Sequence, residues 1–406
     1  MLFQKHLLTF WLGGIVWVMA AGVTWAQSDR SLKPGVDFGF VEAARVPGAT
    51  AAHSATVLAD GDVLVVGGHG ELFGKIPIAS TLARVYEPQK QKWRVLKGSL
   101  NHGRLGHAAL RLPDGKVLIV GGRGQNKEPL RSVELFDPAD EQFKVVGNMT
   151  QGRLRPCLNL LADSKVLITG ENKQAEIIEP SQPSETGYHI RPTRGQTRYN
   201  HSDHAAITLT DGSVLLIGGR CAYLERFESQ NETFSVCAAQ LPKILDDQAA
   251  ALLYDGKVLL AGGQEIISNI SMGQSWIYDP KSDRISEGPW LKSAGAPAGQ
   301  TGAADMQSVD LFGDDPKLSG RYILLGGGEY DFGIADQPDE VLRTAWVYNA
   351  VEKRFIDVGP MLKAHDDFAA TPLPGAANLG KALIIGGYGP GDTFQSECEI
   401  FYYWIK

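Results

Sequence analysis

The stretch DGSVLLIGGR, residues 211–220, decides the fold, because the chain writes it again as DGKVLIVGGR at 114–123 and as DGDVLVVGGH at 60–69. Asp-Gly signals a tight turn. The apolar, partly β-branched run that follows reads as a buried strand. Gly-Gly then marks backbone where side chains are not tolerated.

Looser copies of the phrase bring the count to seven: Val63–Gly68, Val117–Gly122, Val166–Glu171, Val214–Gly219, Val258–Gly263, Ile323–Gly328 and Ala382–Gly387. Their starts lie 54, 49, 48, 44, 65 and 59 residues apart, and a period near 50 means a repeat architecture. Upstream of each phrase is a polar-to-small run such as GHAALRL (106–112), DHAAITL (203–209) or DQAAALL (247–253). Downstream is an alternating strand that ends in an aromatic and a polar residue: VYEP (85–88), LFDP (135–138), IYDP (277–280), VYNA (347–350). A last short strand carries Trp93, Phe143, Phe234 or Phe355. Each unit therefore holds four strands.

Paired glycines and spaced aromatics in this order resemble the kelch motif, over about residues 38–406. The resemblance implies an all-β fold, a seven-bladed kelch-type β-propeller with four-stranded blades. Single repeats cannot bury their faces, so the ring has to close. Two repeats depart from the pattern. The third has Gly170-Glu171 in place of Gly-Gly and weak outer strands around SQPSETGYHIRP, and the sixth lacks Asp-Gly. Closure is legible at the ends. The last repeat stops at ECEIFYYWIK, its third strand, while FGFVEAARVPG (38–48) looks like a fourth strand without its first three. The N-terminal strand is expected to complete the seventh blade and remove a free edge.

Bulk composition agrees. The chain has 406 residues with 47 Gly and 21 Pro, natural for many short strands joined by turns. A formal net charge of −7 argues against nucleic acid or an anionic membrane as the main partner. Residues 1–26 differ: Lys5 and His6 precede an apolar run from about Leu7 to Val23, and Thr24 and Ala26 stand before Gln27 like a cleavage site. That is a signal-peptide pattern, followed by a short linker at 27–37, and an uncleaved anchor is the competing reading. Either way the propeller is exported, to a periplasmic or extracellular location. No second apolar stretch is long enough to cross a bilayer, and a monomer is expected. Among the four cysteines, Cys221 and Cys237 sit at the two ends of the outer half of one repeat and are expected to form a disulfide. Cys157 and Cys398 fall in distant repeats and are left free.

The kelch resemblance places the first strand of each blade around the axis. Counting back from the glycines aligns His53, His107, His204, Gln248, Gln307 and Phe368, with Pro156–Cys157 in the third repeat. Just before this column stand Asp203, Asp246, Asp247, Asp305, Asp366 and Asp367, joined by His201 and His365. On the other side stand Arg104, Arg153, Arg155 and Arg198. The mouth of the channel is thus expected to be divided, with Arg104, Arg153 and Arg198 converging opposite Asp247, Asp305 and Asp367. Arg forks suit carboxylates and paired hydroxyls. Clustered carboxylates suit a cation, an ammonium or sugar hydroxyls. The same residue types at strand starts can instead tie blades together. Arg123, Arg220, Tyr223, Glu265, Glu329, Tyr330, Asp331 and Tyr388 are expected in loops on the same face.

These features point to a module that binds a protein or glycan ligand through its channel mouth. The alternative is a carbohydrate-active enzyme, resembling exported bacterial kelch proteins that isomerise sugar acids, with Arg gripping a carboxylate and Asp/His moving protons. Copper radical oxidases also use kelch-like propellers, but their cysteine–tyrosine cross-link and tyrosine–histidine copper ligands find no match here. No spacing specifies a metal, and no cofactor is expected.

Overall fold

The computed structural model describes residues 36–70, 72–73, 76–180, 187–292, 302–331 and 340–405. The signal-peptide pattern lies outside them. Seven antiparallel sheets form a ring, one per repeat. Blade one is Ala51–Val57, Val63–His69, Ala83–Glu87 and Lys92–Val95, paired in chain order from the axis outward. Blades two to six repeat that order. Blade seven runs Ala369–Pro372, Lys381–Ile385, Cys398–Ile405 and then Val36–Ala43, so the two ends of the chain share a sheet. The closing pair keeps one register throughout, from Val36 opposite Ile405 to Ala43 opposite Cys398. The strand starts two residues before the expected start at 38 and stops five residues short of 48. Both weak repeats form complete blades. In blade three Tyr188–Pro192 pairs with Asn172–Pro180, and in blade six a long turn replaces Asp-Gly between Gln307–Asp310 and Tyr322–Gly326.

The repeated phrase acts as its residue types dictate. The turn Asp accepts the backbone N–H two residues on, as Asp60 does from Asp62, Asp114 from Lys116 and Asp255 from Lys257. The second strand is apolar on both sides because it serves two interfaces. In blade one Val63 and Val65 pack toward blade seven, while Leu64 and Val66 pack toward blade two. Seven apolar clusters result among the described residues, one at each blade–blade interface. The spaced aromatics are cross-strand pairs: Tyr86–Trp93, Phe136–Phe143, Phe227–Phe234 and Tyr348–Phe355, with ring centroids 4.8–5.1 Å apart. No helix among the described residues is long and apolar enough to cross a membrane.

The glycine pair has two separate reasons to exist. In blade two a Cβ on Gly121 would meet the Arg153 carbonyl oxygen at 2.7 Å and the ring of Pro156 at 3.3 Å, both in the next blade. A Cβ on Gly122 would meet the Leu105 carbonyl oxygen at 2.7 Å and His107 Cβ at 2.8 Å, in its own first strand. Both glycines have positive φ, 65° and 87°.

The cysteine prediction needs correction: Cys221 and Cys237 are unpaired. Cys221 opposes Leu245, whereas Glu225 opposes Val236, so Cys237 lies several residues along the ladder. At about 3.3 Å per residue the separation exceeds the roughly 7 Å a disulfide can bridge. Cys221 instead sits against His201, and Cys237 against the Tyr278 hydroxyl.

Candidate functional site

Each blade begins with one residue of left-handed backbone: Ala52, Gly106, Arg155, Asp203, Asp247, Asp305 and Asp367, with φ between 38° and 58°. These seven form a ring around the channel. The N–H groups of Ala52, Gly106, Arg155, Asp247 and Asp305 each donate to the carbonyl of the equivalent residue one blade back, at 2.8–3.2 Å. Asp tolerates this conformation better than most residues.

Blades one and two place Ala and Gly in the ring, blade three an Arg, and blades four to seven an Asp each. The Arg155 guanidinium spans the channel to the far side. Its Nη1 donates to Asp305 at 3.1 Å and Asp247 at 3.3 Å, its Nη2 to Asp367 at 2.9 Å, and its Nε lies 4.0 Å from Asp203. These side chains keep contact with solvent, 40% exposed for Arg155 and 19–28% for the four aspartates. Asp246 and Asp366 flank the ring. Asp246 pairs through Oδ2 with Arg220 Nε at 3.4 Å, and Asp366 exchanges backbone hydrogen bonds with Tyr388.

The mouth holds more carboxyl groups than it has cations to pair with them. Burial, then the Asp305 carboxylate, pushes Asp247 up to about 9. Burial, then Asp367, pushes Asp366 up to about 7. Burial also raises Asp305 and Asp246. Blade three adds Glu171, raised by burial and then by Asp203. Glu171 takes the place of the second glycine at φ 63°, where a side chain is strained.

The expected division of the mouth holds for the aspartates and not for the three arginines: Arg104 and Arg153 turn into the blades, and Arg198 sits in a loop whose backbone Glu225 holds. Asp203, Asp247, Asp305 and Asp367 converge. Arg104 and Arg153 do not reach the entrance; both are buried inside blades. Arg104 binds the Gly121 and Ser132 carbonyls, Ser132 Oγ, and Glu134 at 2.5 Å. Arg153 binds the Gly170 and Gln174 carbonyls and Glu176 at 3.2 Å. His201 and His365 fill the equivalent place in blades four and seven. Each ring puts Nδ1 on the first-glycine carbonyl, Gly218 or Gly386, and Nε2 on a third-strand glutamate, Glu225 or Glu399. The glutamates also accept backbone N–H groups of the incoming loop: Glu134 from Asn101 and His102, Glu225 from Arg198 and Tyr199, Glu399 from Leu362 and Lys363. Burial would lower His201, but hydrogen bonds to Cys221 and Glu225 carry it up to about 9.

His107 and His204 are staples too. They wedge against Gly67 and Gly170 of the preceding blade and bond Ser54 Oγ at 2.8 Å and Thr169 Oγ1 at 2.9 Å. Burial holds His204 down at about 3 and His107 well below its ordinary range, so both are neutral. The residue in this column of blade six is Met306, not Gln307. A Cβ on Gly262 would meet the Met306 methyl at 2.4 Å, and the long irregular turn in place of Asp-Gly is what displaces the count. Arg198 is exposed, and its backbone N–H is held by Glu225. The sequence pattern puts Arg153 in the converging set and leaves Arg155 out of it, the reverse of the structure. It shows Glu171 only as a broken repeat, and that break was the available signal.

The kelch motif family matches residues 104–150, which form the end of one blade's loop and the whole of blade two. The other six blades repeat that unit in strand order, and five of them also in the glycine pair, blade three having Gly170-Glu171. The chain is a seven-bladed β-propeller, one blade of which matches the kelch motif. Among solved structures, this propeller is similar to one titled as a novel fungal alcohol oxidase with catalytic diversity among the AA5 family, in complex with copper. The identity is 14%, the TM-score 0.65, and the match covers 91% of this chain and 76% of that one. At that identity the likeness concerns the fold alone. The comparison with curated proteins finds no match. The propeller's own donors do not suit a copper ion. Among the described residues no three His, Cys, Asp or Glu side chains are arranged to hold a metal ion, and the four mouth aspartates face the Arg155 cation instead. Cys157, on the first strand of blade three, donates to the His204 carbonyl.

Proposed function

We propose that this propeller is an exported binding module that engages a protein or glycan ligand at the mouth of its channel. One observation carries the reading. Five blades send charged side chains to one solvent-reached point, and four carboxylates there share a single guanidinium. Blade–blade cohesion is already provided elsewhere, by the seven apolar interfaces, so the mouth charges are not needed to close the ring. Kelch propellers commonly serve as protein-binding modules, and fixed loops on a rigid scaffold are where such function sits. Tyr199 and Tyr223 add a stacked aromatic pair, centroids 4.2 Å apart, and Tyr223 is exposed. Such faces suit sugar rings and apolar side chains.

The sugar-acid isomerase alternative loses its grip on a substrate carboxylate. Arg104 and Arg153 are committed to Glu134 and Glu176, and Arg155 is committed to the aspartates. The test is to probe the mature chain against glycan and peptide arrays, then to repeat the binding with Asp305→Asn and Asp367→Asn. A loss of at least tenfold in folded variants supports the mouth. Undiminished binding overturns it.

A further inference from the structure

We infer that the ligand enters the mouth through a protonated amine or guanidinium group, received by the carboxylates of blades five to seven; this rests on the mouth being the ligand site. The first observation is a shortage of donors. The Asp246 side chain is only 3% exposed, and its Oδ1 is buried without a hydrogen-bond partner while Oδ2 faces Arg220. Asp366 is its equivalent in blade seven, and its Oδ1 is likewise buried without a partner. Buried acceptors without donors are rare, because each leaves a desolvation cost uncompensated. A cationic group with several N–H donors supplies both the charge and the hydrogen bonds.

A second observation shows that this chemistry already operates at the site. Arg155 is a guanidinium received by Asp247, Asp305 and Asp367, in the way a ligand's own cation would be. One such group leaves the crescent acidic, as the upward shifts of Asp247 and Asp366 by burial and mutual repulsion also indicate. Arg220 is 63% exposed and is the side chain that yields when a ligand reaches Asp246. An anionic ligand finds the opposite at this crescent: Arg155 and Arg220 are already paired with its carboxylates.

A basic peptide side chain and a small polyamine offer the same chemistry. Isothermal titration calorimetry of the full chain at low salt, with an octalysine peptide in one arm and spermidine in the other, separates them. At least one probe is expected to bind, and the arm that responds identifies the source. Asp246→Asn and Asp366→Asn should each weaken that binding fivefold or more. The pair Asp60→Asn with Asp114→Asn removes two charges from turns on the opposite face and should leave it within twofold. Arg155→Met should tighten it, since it removes the resident competitor. If Arg155→Met does not fold, the two Asp→Asn variants still decide the matter. The inference is overturned if neither probe binds, if the distant pair has the same effect as the mouth variants, or if Arg155→Met weakens binding. An array ligand lost in the mouth variants but displaced by neither cation overturns this inference and leaves the binding site standing. Mouth variants that bind every array ligand normally overturn the site itself.

Discussion

Arg153 and Arg155 are two residues apart and do opposite things. Arg153 is buried, bonded to two carbonyls and paired with one glutamate. Arg155 is 40% exposed and faces four aspartates from four other blades. The difference lies in the left-handed turn at Arg155, which sends its side chain across the channel while that of Arg153 turns into the sheet. Partner counting separates the two roles. Where a buried guanidinium is balanced by one carboxylate within its own blade, as in Arg104–Glu134 and Arg153–Glu176, the charge is structural, even though Arg153 Nε finds no acceptor. Where carboxylates outnumber cations and buried oxygens stay unmatched, the arrangement is incomplete until something arrives.

The contrast breaks first if the buried set can be disturbed without harm. Arg104→Ala leaves Glu134 buried without its cation and should cost about 3–5 kcal/mol of stability. Denaturant unfolding measures this, and a cost below about 1 kcal/mol would put Arg104 outside the structural set. Next is His201, whose ring nitrogens both face acceptors. Its pKa is raised from the ordinary value near 6.5 to about 9, so its contribution is fully present below pH 6.5 and is lost as pH rises through 9. The chain should lose roughly 2 kcal/mol across that window, and His201→Gln should flatten the decline. A pH-independent melting profile there speaks against a charged staple.

The mouth set should respond in the other direction. Asp366 is raised to about 7 from the usual carboxylate range, so its native form prefers the proton. Stability tied to it is full below about pH 4 and is lost as pH climbs to 7. Asp366→Asn should therefore stabilise the chain at pH 8 by on the order of 1–2 kcal/mol, allowing for partial solvent contact, and change little at pH 4. Destabilisation at pH 8 would move Asp366 into the structural set. The smallest effect belongs to Glu171, held at φ 63° where the other blades have glycine. Glu171→Gly should relieve about 1 kcal/mol of strain, read as a rise in Tm. No rise would mean that contacts of the side chain compensate the strain.

Much of this molecule could be read from the chain. Glycine pairs, turn aspartates and cross-strand aromatics each answer to local geometry, so blade number and closure were legible. The ring aspartates were legible because they precede a countable strand. What was hidden turns on single-residue rotations. Nothing in QGRLRPC separates Arg153 from Arg155 until the left-handed turn is known. Counting back from the glycines lands on Gln307 in place of Met306 because the sixth repeat has a long irregular turn where the others have Asp-Gly. Bulges between the strands of Cys221 and Cys237 spoiled a pairing that short sequence separation had suggested.

The central claim, that the axial charges serve a ligand while the buried pairs serve the fold, is tested most directly by measuring both properties on both sets. Array-ligand affinity and Tm would be determined side by side for Asp305→Asn/Asp367→Asn and for Arg104→Met. The mouth double variant should lose at least tenfold in affinity with Tm at or above that of the unaltered chain, and Arg104→Met should lose several degrees with affinity unchanged. A mouth variant that melts early and still binds, beside an Arg104 variant that melts normally and does not, would contradict the account.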